Sequence, residues 1–109
     1  MSDLSDLLEE TCTPQGSAVK GEELRKLFGQ LQFGWTMPND HHLEKEYRFK
    51  DFREALGFVN RLGEVAEREN HHPDVFLAWG RVKVTLWTHS AGGLTRNDFI
   101  LAAKADQLV

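Results

Sequence analysis

At 109 residues the chain has room for one compact domain, because domains run at roughly 100–200 residues and neither half alone would hold a core. Hydrophobic residues at 40% and charged residues at 28% exclude disordered, collagenous and low-complexity classes, and a net charge of −4 argues against direct nucleic-acid binding, which needs a clustered positive face. A domain of this size buries only about two-thirds of its unfolded surface, so a shallow site, or one completed by a second copy, is expected in place of a deep cavity.

Residues 1–20 mix acidic residues with Thr, Ser, Pro14 and Gly16 and have only a weak Leu4, Leu7, Leu8 cluster. They read as a mobile N-terminal arm with at most a frayed helical turn, and residues 21–109 as the folded domain. The single cysteine, Cys12, allows no internal disulfide. With no signal peptide and no long apolar span, a cytoplasmic protein away from membranes is expected.

Leu24, Leu27, Phe28 and Leu31 recur at helical spacing and predict a short amphipathic helix, after which Gly34 and Pro38 punctuate the chain around Trp35. Residues 42–49 alternate, with Leu43, Tyr47 and Phe49 on one side and Glu44, Glu46 and Arg48 on the other, as in a half-buried strand. Lys45 falls on the apolar side, where its long stem can snorkel. A second helix is predicted over residues 51–69, opened by Asp51 and Glu54 at capping-box spacing and closed by Asn70 and Pro73. Phe58 and Val65 widen its apolar arc to about half the circumference, more than one core needs, which suggests a partner surface.

Residues 75–79 and 81–88 predict a hairpin turning at Gly80, with Val82, Val84 and Leu86 on its core face. Thr95 and Asp98 again have capping-box spacing at the start of a last helix. Together these give an α+β single domain: a four-stranded antiparallel sheet, counting the segment around Trp35, with about three helices packed on one face.

Five histidines dominate the candidate chemistry, since imidazole changes charge near neutral pH. Glu67, His71 and His72 fall at a helix end, His89 at a strand end and Asp98 at a helix start, where rigid elements hold side chains in reach of solvent. Adjacent imidazoles can divide acid and base roles without an extreme pKa shift. A metal is disfavoured because there is no HExxH or paired-cysteine framework. No nucleophile elbow and no Gly-rich phosphate cradle are present. Trp79 reads as structural packing and Trp35 as an anchor for the first helix. His41 and His42, between a Pro-Asn-Asp turn and a polar strand, read as solvated.

Glu67, His71-His72-Pro73, Trp79, His89 and Asp98, with the surrounding AERENHHPD, VKVTLWTH and GGLTRND, resemble the signature of the pterin-4a-carbinolamine dehydratases. The resemblance extends from about residue 22 to 106. It departs at Val75, where relatives commonly have Trp, and at Asn70, where some have Asp. It implies dehydration of 4a-hydroxytetrahydropterin to quinonoid dihydropterin, recycling the cofactor of aromatic amino acid hydroxylases. His71, His72 and His89 are then the catalytic histidines, with His71 as base and His72 or His89 as acid. Glu67 and Asp98 orient imidazoles or hold ring N–H groups, and Trp87 and Phe76 wall the flat substrate. The expected partners are a reduced pterin, copies of the chain in a homodimer or homotetramer, and a hydroxylase by functional link; no cofactor and no metal are expected. The alternative is an oligomerising interaction module that stabilises a partner protein.

Overall fold

The structure, a computed structural model, describes residues 4–14 and 16–109. Its elements are helices α1 (Leu4–Glu9), α2 (Gly21–Gly29), α3 (Phe52–Glu69) and α4 (Arg96–Asp106) and strands β1 (Leu43–Arg48), β2 (Asp74–Ala78) and β3 (Arg81–Leu86). Short 3-10 turns lie at Pro38–Asp40 and His89–Ala91. The strands form one antiparallel sheet in the order β1-β3-β2. Leu43, Tyr47, Val82, Val84 and Leu86 point from it into a core shared with Phe58 and Leu62 of α3 and with Phe99 and Leu101 of α4. No helix among the described residues is long and apolar enough to cross a membrane.

The expected fourth strand is a single bridge. Thr36 and Glu44 exchange both backbone hydrogen bonds at 2.9 Å, and the ladder stops there. Gly34 at φ +112° bends the chain on one side, and on the other Pro38, which has no N–H to donate, opens a 3-10 turn. The sheet therefore has three strands among the described residues. After Leu86 the chain also leaves the sheet earlier than expected, because Thr88 pairs with Gly93 across the 3-10 turn.

Local chemistry explains the helix ends. Asp51 accepts the Glu54 N–H at 2.9 Å, and Asn70, at φ 54° and ψ 41°, closes α3 in the left-handed conformation. Ala55, Phe58, Leu62, Val65 and Ala66 form the buried stripe of α3. Phe58 and Val65 are thus absorbed by the chain's own core and do not extend a partner surface; Phe52 and Leu56 are the large apolar residues left exposed on that helix. Lys45 does not snorkel to solvent. Its Nζ lies 2.7 Å from Asp106 Oδ1, beside bonds to the same carboxylate from Tyr47 Oη (2.6 Å) and Trp35 Nε1 (2.9 Å). Trp35 thereby ties its loop to α4 and meets Tyr47 edge-on. Trp79, expected to pack, is 69% exposed at the hairpin turn. There the Gly80 carbonyl accepts the Phe49 N–H at 2.8 Å, and a Cβ at residue 80 would come within 2.8 Å of the Phe49 carbonyl oxygen, so glycine is required by close approach.

Parts of the expected arm make defined contacts. Leu7 is fully buried, Arg96 grips Glu10 through two bonds of 2.7 and 2.6 Å, and Asn97 bonds the Thr13 backbone twice. Residues 1–3, Gln15 and the side chain of Leu4 lie outside the described residues.

Candidate active site

The antiparallel registers bring one end of each strand together. Leu43 faces Leu86 and Asp74 faces Thr85, so the residues preceding β1, those preceding β2 and those following β3 share one end of the sheet. These are His41-His42, His71-His72 and Trp87-Thr88-His89. The N-terminus of α4 reaches the same end through Asp98, whose Oδ2 accepts a bond from Thr88 Oγ1 at 2.8 Å.

Asp98 is fully buried, and both of its oxygens are engaged. Oδ2 also accepts the Thr95 N–H at 2.9 Å, completing that half of the predicted capping box. Because the Thr88 hydroxyl spends its single proton on Asp98, its 2.9 Å contact with Thr95 Oγ1 has the Thr95 hydroxyl as donor. Asp98 Oδ1 stands 2.6 Å from His71 Nε2. A carboxylate only accepts, so His71 donates from Nε2, which fixes its tautomer and leaves Nδ1 to act as an acceptor. The ring is mostly enclosed, its side chain 11% exposed. Its place follows from α3: the left-handed Asn70 turns the backbone, and the His71 N–H caps the Ala66 carbonyl at 3.1 Å.

His72 leaves the turn towards solvent, where its Nε2 meets Glu67 Oε2 at 2.6 Å. His89 is exposed and stacks on Trp87, with ring centroids 3.8 Å apart and planes 25° apart. The structure thus pairs His71 with Asp98, His72 with Glu67 and His89 with Trp87. Phe76 sits on the open face of the sheet, in register with Lys83 and with the Arg81 guanidinium 5.4 Å from its ring centroid.

The arrangement offers a buried carboxylate–imidazole pair, a solvent-facing carboxylate–imidazole pair and an aromatic surface. That is equipment for moving protons at a flat ligand. Among the described residues no group of three or more His, Cys, Asp or Glu side chains is placed to hold a metal. Sequence reasoning missed Thr88 and Thr95, whose hydroxyls support Asp98 and carry no local signal beyond the capping spacing. It also missed His41 and His42, which are partly buried and paired in place of solvated, because the register that sets the start of β1 beside the end of β3 is a pairing between distant residues that no local pattern signals.

The chain belongs to the family described as pterin 4 alpha carbinolamine dehydratase, whose model matches residues 17–108, and it is accordingly a hydro-lyase. A relative from Rubrobacter xylanophilus is 51% identical over 96% of this chain and all of its own length. Another from Alkaliphilus metalliredigens is 44% identical over 95% of this chain and 96% of its own; each is named "Putative pterin-4-alpha-carbinolamine dehydratase". Among solved structures, a Brucella melitensis protein described as a transcriptional coactivator/pterin dehydratase superposes with a TM-score of 0.79, at 33% identity over 84% of this chain and 98% of the other. A pterin dehydratase-like protein described as a RuBisCO assembly factor of the alpha-carboxysome, 22% identical with a TM-score of 0.60 over 71% of this chain and 90% of its own, shares the fold.

Proposed function

We propose that the protein dehydrates 4a-hydroxytetrahydropterin to quinonoid dihydropterin, with histidines as acid and base, as one step in recycling the cofactor spent by aromatic amino acid hydroxylases, a separate reduction being needed to return the product to the tetrahydro form. The reaction breaks the C4a–O bond, the departing hydroxyl taking a proton to leave as water, while N5 loses its proton and forms a double bond to C4a. The contact of His71 with the fully buried Asp98 is the observation that carries the reading. It presents Nδ1 as the proton acceptor and sets a carboxylate behind the ring to stabilise the imidazolium as it forms. His72, backed by Glu67, or His89 delivers the proton to the leaving hydroxyl. Trp87 is the better supported wall for the flat ring because it lies against His89, whereas Phe76 packs with Arg81 on the open sheet face. Both proton transfers use side chains of this chain and need no cofactor.

The test is the rate of quinonoid product formation from 4a-hydroxytetrahydropterin. The double variant His71→Ala/His89→Ala should lose at least a hundredfold, in keeping with the usual worth of acid–base groups of about 10²–10⁴. Full activity in that variant would sink the site.

A second reading, an oligomerising module that stabilises a partner protein, is favoured by exposed apolar residues at two places: Phe52 and Leu56 on α3, and Val75 and Phe76 on β2, an edge strand. A homodimer or homotetramer would cover such surfaces. Light scattering with and without a partner separates the readings, since a pure module changes stoichiometry and turns over no pterin.

A further inference from the structure

His41 is delivered to the histidine end of the sheet by a tight turn. Asn39 and Asp40 both adopt positive φ, 56° and 55°, a conformation that Asn and Asp tolerate better than other non-glycine side chains. The His41 N–H then closes on the Pro38 carbonyl at 3.0 Å. The imidazole lies against Trp87, ring centroids 4.5 Å apart and planes tilted by 45°. It is held from behind by a hydrogen-bonded chain: His41 Nδ1 is 3.0 Å from His42 Nδ1, and His42 Nε2 is 3.2 Å from Glu44 Oε2. The Glu44 carboxylate accepts from His42 Nε2–H, and the two facing Nδ1 atoms share a single proton between the rings. Lys83 Nζ, 3.6 Å from the same Glu44 oxygen, helps to hold that carboxylate in place.

Trp87 therefore has two imidazole neighbours, His41 from before β1 and His89 from beyond β3, while its chain neighbour Thr88 is bonded to the Asp98 that orients His71. An exposed imidazole stacked on an indole has the direction of its ring set by that indole, and the indole is steadied by what packs on it.

We infer that His41 is a positioning residue for the reaction: by packing on Trp87 it fixes the indole on which His89 is stacked, and so sets how the His89 imidazole meets the substrate. The inference rests on the reading that His89 takes part in the dehydration. It assigns a role to the second histidine doublet, which the acid–base assignment leaves unused.

The experiment combines turnover with the imidazole Cε1–H resonance of His89, which the indole ring current shifts upfield when the rings are stacked. In His41→Ala the His89 signal should move downfield, and kcat should fall about five- to tenfold, the order expected for a misaligned catalytic ring. His41→Phe keeps a ring on Trp87 but gives up the bond to His42, and should restore at least half of kcat and the His89 signal. In a Trp87→Leu background His41→Ala should cost nothing further, because its effect passes through the indole. The inference is overturned if the His89 signal is unmoved in His41→Ala, if Phe behaves as Ala, or if the His41 and Trp87 effects are fully additive. A wild-type protein that folds but forms no quinonoid product would overturn the dehydratase reading instead, and the His89 signal would still decide the positioning.

Discussion

Asp98 accepts three hydrogen bonds while wholly buried, so its charge and its geometry have the same partners. Asp98→Asn would turn an amide N–H2 towards at least one of those donors. Turnover is expected to fall about a hundredfold as His71 loses its tautomer and orientation. Stability should drop by about 1–3 kcal/mol through the unmatched donor, read by urea unfolding. Cys12 shows the opposite use of burial. Desolvation, with the nearby Glu69 carboxylate adding to it, pushes its thiol up to about 12, so it stays protonated at neutral pH. Alkylation of the native protein by iodoacetamide should be far slower than in urea, and equal rates would contradict that environment.

At the scale of elements, the end of α3 decides where His71 goes. Asn70 in the left-handed conformation is the device, and Asn70→Gly should be nearly neutral while Asn70→Ala costs about 1 kcal/mol in chemical denaturation. The join between the N-terminal segment and α4 has its own signature. The Arg96 guanidinium bonded to Glu10 holds that carboxyl below its usual range, partly opposed by desolvation. A carboxyl whose folded value is lowered contributes stability that is complete above its unfolded value and is lost as pH falls through the folded one. The thermal midpoints of wild type and Glu10→Gln should therefore differ at neutral pH and converge in acid. The gap should be small, because both side chains are partly exposed and such pairs are worth about 1 kcal/mol or less.

Across the whole molecule, α4 connects two buried carboxylates with different tasks. Asp98 at its first turn holds His71, while Asp106 at its last turn gathers Lys45, Tyr47 and Trp35, about 12 Å away along the axis. Asp106→Ala leaves Lys45 without its ion-pair partner and should cost about 3–5 kcal/mol in urea unfolding. Its kcat at a temperature where the variant is folded should remain near wild type, separating the staple from the site. By itself the sequence determined the strand alternation, the caps at Asp51, Asn70 and Thr95–Asp98, and the spaced Glu, His and Asp signature. Each of these is a property of near neighbours or of order along the chain. The tertiary structure alone decided that the segment at Trp35 gives one bridge instead of a strand, that Phe58 and Val65 turn inwards, and that His41 lies on Trp87. Those outcomes depend on register and packing between residues far apart in sequence, where a shift of one position sends a side chain to the opposite face and no local pattern records the choice.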